Sequence, residues 1–338
     1  MNERTSRLAS RPVAPASPLL ALPSMQANLD RVEEALREAV RTDDEYLTEL
    51  ARHLIVAGGK RLRPVVAMAA AMTADAEISD AVVQGAVSVE LVHLGSLYHD
   101  DVMDEADTRR GVETVNAKWG NLQAILAGDF LLSRASEIAA SLGTEIAALL
   151  AQTIGRLCYG QIGELRRTYS ADRTEAEYLD SIGGKTASLF ATAARIGALV
   201  SGADRALVEA LTTFGHAFGM VFQIVDDILD LTATEAQLGK PSGHDMVEGV
   251  YTLPVIRTLA AGGAAAAELR DLLGRPLDPV ECDKALAIVR SGGAVDGALA
   301  VGAHYVDEAD AACAVLPAGP ATDVLRSAPS ALLAVASG

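Results

Sequence analysis

The sequence predicts an all-α protein. Alanine is abundant, aromatic residues make up only 4% of the 338 residues, and apolar residues recur at helical spacing over long stretches. No strand-type alternation runs through several consecutive segments. The length suits one large core or two ordinary domains. No linker-like stretch follows residue 22, so the reading is a disordered tail over 1–22 and a single domain over 23–338.

The tail carries Arg4, Arg7 and Arg11 before PVAPASPLLALPS. Pro12, Pro15, Pro18 and Pro23 interrupt what would otherwise resemble a secretory signal. Helices are predicted over 25–40 and 43–56, the second ended by Gly58-Gly59. Lys60-Arg61-Leu62-Arg63-Pro64 opens the next, with Pro64 in its first turn. That basic cluster lies at a helix N-terminus, which favours anions. Another helix starts near Asp80 and runs into HLGSLYHDDVMDEADTRRG at 93–111. Residues 108–117 read as a loop. Further helices are predicted over 121–141, 144–167, 175–182, 185–200 and 204–231. Turn-forming residues mark 232–245 as a loop. The remaining helices fall over 252–261, 264–273, 279–291, 295–316 and 321–333. No repeat of 20–50 residues is found.

The formal net charge of −17 argues against non-specific nucleic-acid binding. Local basic clusters at 60–63 and 109–110 leave an anionic substrate open. The three cysteines, Cys158, Cys282 and Cys313, lack metal-ligand spacing and read as buried thiols in a reducing cytosol. No apolar run is read as reaching the roughly 18 residues of a membrane span. The expectation is a cytoplasmic protein with at most transient membrane contact.

The chemistry concentrates in two acidic clusters. Asp100, Asp101 and Asp104 end one apolar helix, and Asp226, Asp227 and Asp230 repeat the same spacing in FQIVDDILDL. Asp100 and Asp104 stand one helical turn apart on one face. Six carboxylates facing one another would repel strongly without a hard cation such as Mg²⁺. Glu105, Asp107 and Asp245 read as structural residues or as supports of the residues that hold the cation.

These clusters sit within a longer series: GGKRLRP at 58–64, DDVMDEADTRRG at 100–111, AGDFLL at 127–132, GGKTASLF at 183–190, FQIVDDILD at 222–230, GKPSGHD at 239–245 and TLPVI at 252–256. In content and order the series resembles the trans-isoprenyl (polyprenyl) diphosphate synthase family, particularly its medium- and long-chain bacterial members. The resemblance implies a helical bundle around a deep central cavity, a homodimer, and three Mg²⁺ ions per active site. It implies condensation of isopentenyl diphosphate with an allylic diphosphate: diphosphate departs, the resulting carbocation is attacked by the double bond, and a proton is lost.

The resemblance also distributes roles. Asp100, Asp104 and Asp226 are implied as direct metal ligands, with Asp101, Asp227 and Asp230 acting through water. Arg109, assisted by Lys185 and Lys240, would hold the allylic diphosphate. Lys60, Arg63, His93 and Arg110 would hold isopentenyl diphosphate, arginine through its donor fork and lysine as a point charge. Thr186 and Gln223 would lie near the reacting carbons. One departure stands out: many short-chain members carry a lysine where this sequence has Val250.

Product length is read from the helix before Asp100. Ser96 lies roughly 6 Å from Asp100 along that helix. Short-chain members often carry an aromatic floor at the position of Gly95, and here both Gly95 and Ser96 are small. Tyr98 should point away. A chain of seven to ten isoprene units, as in quinone side chains, follows as an expectation. The alternatives are a geranylgeranyl-type synthase and a non-catalytic subunit of a heteromeric synthase. A terpene cyclase fits poorly with an intact second aspartate motif.

Overall fold

Polar side chains at the helix starts set many of the element boundaries. Asp44 accepts from the N–H groups of Tyr46 and Leu47, Ser79 from that of Val82, and Asp204 from that of Leu207. Thr174 and Asp278 form capping boxes with Glu177 and Glu281. Each satisfies donors that a helix N-terminus leaves open.

The computed structural model describes residues 17–74, 77–234 and 242–337. Its first helices are α1 Met25–Ala39, α2 Glu45–Val56, α3 Leu62–Met72 and α4 Asp80–Met103. A two-stranded hairpin follows, β1 Thr108–Arg109 and β2 Val112–Glu113, then α5 Val115–Trp119, α6 Asn121–Leu142, α7 Thr144–Leu165 and α8 Glu175–Ile182. A π-helical turn, Gly183–Ala187, leads into α9 Ser188–Val200 and α10 Arg205–Thr232. The C-terminal part holds α11 His244–Val247, α12 Leu253–Ala261, α13 Gly263–Leu272, α14 Pro279–Ser291, α15 Ala294–Ala312 and α16 Pro320–Ala336. The all-α expectation holds.

Three expectations change. Residues 18–21 form a 3₁₀ turn, and Leu19 and Leu22 are buried in the main core. The predicted tail therefore does not extend to residue 22; its residues 1–16 lie outside the described ones. The stretch 108–117 is not simply a loop. Thr108 pairs with Glu113 and Arg109 with Val112 across a turn in which Arg110 and Gly111 both take positive φ, 55° and 80°. That conformation suits a two-residue hairpin turn. Cys158 is exposed, while Cys282 and Cys313 are buried as read.

α4 and α10 are the central helices. By length and composition both could cross a membrane, contrary to the sequence reading, but 72% and 61% of their apolar windows are buried inside the protein. α4 packs on α1, α3, α6 and α9, and α10 on α9, α15 and α16. Burial on several sides at once accounts for their apolar character.

Small residues let the helices approach closely. A Cβ added to Gly197 of α9 would lie 2.0 Å from the carbonyl oxygen of Ala67 in α3. Neither backbone can yield without shifting a buried helix. Gly197→Ala is therefore expected to destabilise the protein by about 1–3 kcal/mol. Urea unfolding followed by circular dichroism measures this; an unchanged midpoint would contradict the close crossing.

Candidate functional site

Residues of both aspartate motifs line one polar cavity. It measures about 160 Å³ and is lined by Asp104 beyond α4, Glu164 of α7, Lys185 of the π-helical turn, and Gln223, Asp226 and Asp227 of α10. Arg173, Tyr178 and the segment from Asp245 to Thr252 close another side. The π-helical turn reaches this position because glycines meet: a Cβ on Gly160 would lie 2.5 Å from the Lys185 nitrogen.

Lys185 is half-buried and its ammonium pairs with Glu164 at 2.6 Å. Burial works against its charge, but Glu164, Asp100 and Asp104 together outweigh that and raise its pKa. The acids feel the converse. Burial raises Asp100 and Asp104, and Lys185 is the first charge opposing it in each case. Arg109 adds to that opposition at both acids.

Asp101 turns a different way from its neighbours. It is buried, accepts from Arg109 Nε, and its Oδ2 has no hydrogen-bond partner among the described residues. Burial raises its pKa and Arg109 opposes the rise. Asp230 is also buried. Its carbonyl accepts from Gly243 at 2.8 Å, and its carboxylate accepts from the Asp245 N–H at 3.3 Å. Asp101 therefore positions an arginine, and Asp230 anchors the segment after α10.

A hydrogen-bonded chain runs through the second motif. Thr186 Oγ1 donates to Gln223 Oε1 at 2.8 Å, and Gln223 Nε2 donates to Asp227 Oδ1 at 2.8 Å. Tyr178 donates to Asp227 Oδ2 at 2.6 Å. Burial nevertheless pushes the Asp227 carboxyl up to about 7 against both hydrogen bonds, with Asp226 adding to the rise.

A cluster of basic side chains gathers around His93. Arg110 donates to the carbonyls of Leu54, at 3.3 Å, and Gly58 at the end of α2. Arg63 stacks over Phe190 at 4.7 Å, and its Nε is buried without a hydrogen-bond partner among the described residues. Burial lowers Arg63 to about 10. His93 is held well below its ordinary value, first by burial, then by Arg63, Arg110, Arg109 and Arg61. These cations crowd one neutral imidazole, an arrangement suited to an anion. Lys60 is exposed beside them. Arg61, read as part of the same cluster, is instead buried and paired with Glu33 at 2.6 Å and Glu90 at 3.0 Å.

The predicted residues thus fall in two adjoining regions, with Arg109 and Arg110 on a tight turn between them. Lys240 lies outside the described residues. Asp245, read as structural or as a support of the cation-holding residues, lines the cavity. Glu164, Arg173 and Tyr178 were not singled out from the sequence. Tyr98 points away as expected, its hydroxyl donating to Leu50 O at 2.8 Å. Gly95 faces α6: an added Cβ would lie 3.0 Å from Gly128 O and 3.2 Å from Leu132 Cγ. That contradicts the expectation that Gly95 opens onto an unfilled tail cavity. Ser96 is half-buried and bonds to His93 O at 2.9 Å.

Among the described residues, no three acidic, histidine or cysteine side chains converge closely enough to form a metal cage. The donor set still suits a hard divalent cation, which commonly takes one or two carboxylates and completes its shell with phosphate oxygens and water. Carboxylates whose ionisation burial opposes are what such a cation would relieve.

The family described as polyprenyl synthetase matches residues 44–289. The nonaprenyl diphosphate synthase of Mycobacterium tuberculosis is 39% identical over 305 residues, 90% of this chain and 91% of that protein. Heptaprenyl diphosphate synthase component 2 of Geobacillus stearothermophilus is 41% identical, covering 88% and 93%. Among solved structures, a polyprenyl synthase from Caulobacter crescentus complexed with calcium and isoprenyl diphosphate superposes with a TM-score of 0.87. It is 35% identical, and the match covers 96% of this chain and 99% of that one.

The Asp227 environment has a consequence for stability. Its folded-state pKa, about 7, stands above the model-compound value of 3.8. The folded state therefore binds the proton more tightly, giving a stabilisation complete below about 3.8 and lost as pH rises through about 7. In metal-free protein, Asp227→Asn should hold its thermal midpoint between about pH 5 and 8 better than the wild type. Calorimetry in chelator tests this; parallel midpoint curves would contradict it.

Proposed function

From the premise that this chain belongs to the polyprenyl synthetase family, we propose that its aspartate-lined cavity takes an allylic diphosphate and its basic pocket takes isopentenyl diphosphate. The chain is a prenyltransferase that elongates prenyl diphosphates. The separation of charge carries the site assignment: an acid-rich cavity adjoins a cluster of arginines around neutral His93.

In this reading Asp100, Asp104 and Asp226 hold Mg²⁺, three ions per site. When bound there, the metal would supply the positive charge that offsets the charge developing on the departing diphosphate. Arg109, steadied by Asp101, and Lys185 grip that diphosphate. Lys185 is paired with Glu164, so it exchanges a carboxylate for a phosphate as substrate enters. Arg63, Arg110, His93 and Lys60 hold the second diphosphate. The chain from Thr186 to Tyr178 supplies orientation. Because Thr186 donates its hydroxyl proton to Gln223, its lone pairs remain free to face a developing cation. Asp227 acts in this reading by fixing Gln223.

We take the product to be a medium- or long-chain polyprenyl diphosphate, destined for a quinone side chain and made in the cytoplasm. The names of the relatives at 39% and 41% identity support the length. Purified protein given farnesyl diphosphate, isopentenyl diphosphate and Mg²⁺ should yield seven to ten isoprene units by mass spectrometry. A product ending at four units would place it with the geranylgeranyl-type synthases. One of those, from Corynebacterium glutamicum, is 38% identical with a TM-score of 0.82. The word "component" in the name of the 41%-identical relative favours a second reading. In it, turnover needs another polypeptide, and the purified chain alone would make no product.

A homodimer completes the proposal. Leu122, Ile125 and Leu126 of α6 and Tyr159, Ile162 and Leu165 of α7 are all exposed, Leu122 by 74% and Tyr159 by 76%. Adjacent apolar side chains on two packed helices suit a face covered by a second copy. Leu122→Glu with Leu126→Glu is expected to convert a dimer into a monomer in light scattering. A monomeric wild type would contradict the assignment.

A further inference from the structure

Arg173 lies between α7 and α8 and is only 5% exposed. Its Nη1 donates to Tyr251 O at 3.1 Å, and its guanidinium lies 5.5 Å from the centre of the Tyr178 ring. Among the described residues, Nε and Nη2 are buried with no hydrogen-bond partner. Glu164, Asp227 and Glu177 contribute to the field around it, yet no carboxylate pairs with it among the described residues. A guanidinium stays charged and presents a rigid fork of donors. Buried donors left unmade are costly, so such a group is usually completed by something.

The same side chain lines the cavity beside Lys185, Asp226, Asp227 and Val250. Tyr251, its backbone acceptor, directly follows Val250, the position where many short-chain relatives carry lysine. The guanidinium is therefore anchored to the backbone one residue from where that lysine's side chain would start. We propose that Arg173 is a contact for the allylic diphosphate, its unmade donors taking phosphate oxygens and its charge replacing that of the absent lysine. This rests on the reading of the cavity as the allylic site. Arg173 reaches the cavity from outside the motif blocks, so the motifs do not reveal it.

Steady-state kinetics on the full-length protein test the assignment, with inorganic pyrophosphate as a competing probe. Arg173→Gln should raise both the KM for farnesyl diphosphate and the inhibition constant of pyrophosphate about tenfold, leaving the KM for isopentenyl diphosphate within about twofold. Adding Val250→Lys to that variant should recover most of the loss, which a purely structural role for Arg173 would not allow. Unchanged allylic constants, an equal loss for both substrates, or no recovery by lysine would each overturn the proposal. If Arg173→Gln loses its cooperative unfolding transition, Arg173→Lys carries the test. It should raise the two allylic constants about threefold, and wild-type values would overturn the proposal. Asp226→Ala in the same assay separates the two readings. Full turnover there defeats the site itself, whereas lost turnover beside a silent Arg173→Gln defeats only this assignment.

Discussion

Carrying carboxylates to the ends of two buried apolar helices is the constraint on which the rest of the structure depends. α4 and α10 are enclosed by neighbouring helices over most of their length. Asp100, Asp104 and Asp227 consequently sit where burial resists their ionisation. Lys185 relieves the first motif only in part, because Glu164 already claims it. Among the described residues, Lys185 and Arg173 line the cavity beside Asp104, Glu164, Asp226 and Asp227, a mixture of charges suited to a divalent ion together with an anionic substrate.

The hairpin between β1 and β2 turns this into two sites. Arg109 is drawn to Asp101, and Arg110 to the carbonyls at the end of α2. Positive φ at Arg110 and Gly111 makes the tight reversal that allows neighbouring arginines to serve opposite sides. Glu90 steadies the basic side from below. It is buried, and although burial raises its pKa, Arg61, Arg63 and Arg110 oppose that rise. A pocket rich in arginine then persists beside a cavity rich in aspartate.

Much of this was legible because the signals are local. Helix caps, apolar spacing and paired aspartate motifs need only a short window, and they gave the all-α class and the principal acids. What stayed hidden depends on residues far apart in the chain. Arg61 reads from the sequence as part of a basic cluster, whereas Glu33 and Glu90, 28 and 29 positions away, claim it in the fold. Gly95 read as an open floor because spacing gives the face of a helix but not its neighbour, and the neighbour is α6. Asp101 and Asp230 share their motifs' spacing but rotate toward Arg109 and the Asp245 backbone. Glu164 and Arg173 belong to no pattern; only folding brings them to the cavity. Tyr178 carried a faint signal as the aromatic just inside a Thr174–Glu177 capping box.

The central claim is that the two aspartate motifs act as one divalent-metal site. Anomalous scattering from crystals soaked with Mn²⁺ and an unreactive allylic thiolodiphosphate tests it most directly. Peaks between the bound diphosphate and both Asp100–Asp104 and Asp226 are predicted. Manganese bound elsewhere, or diphosphate seated in the cavity with no metal at either motif, would contradict the account.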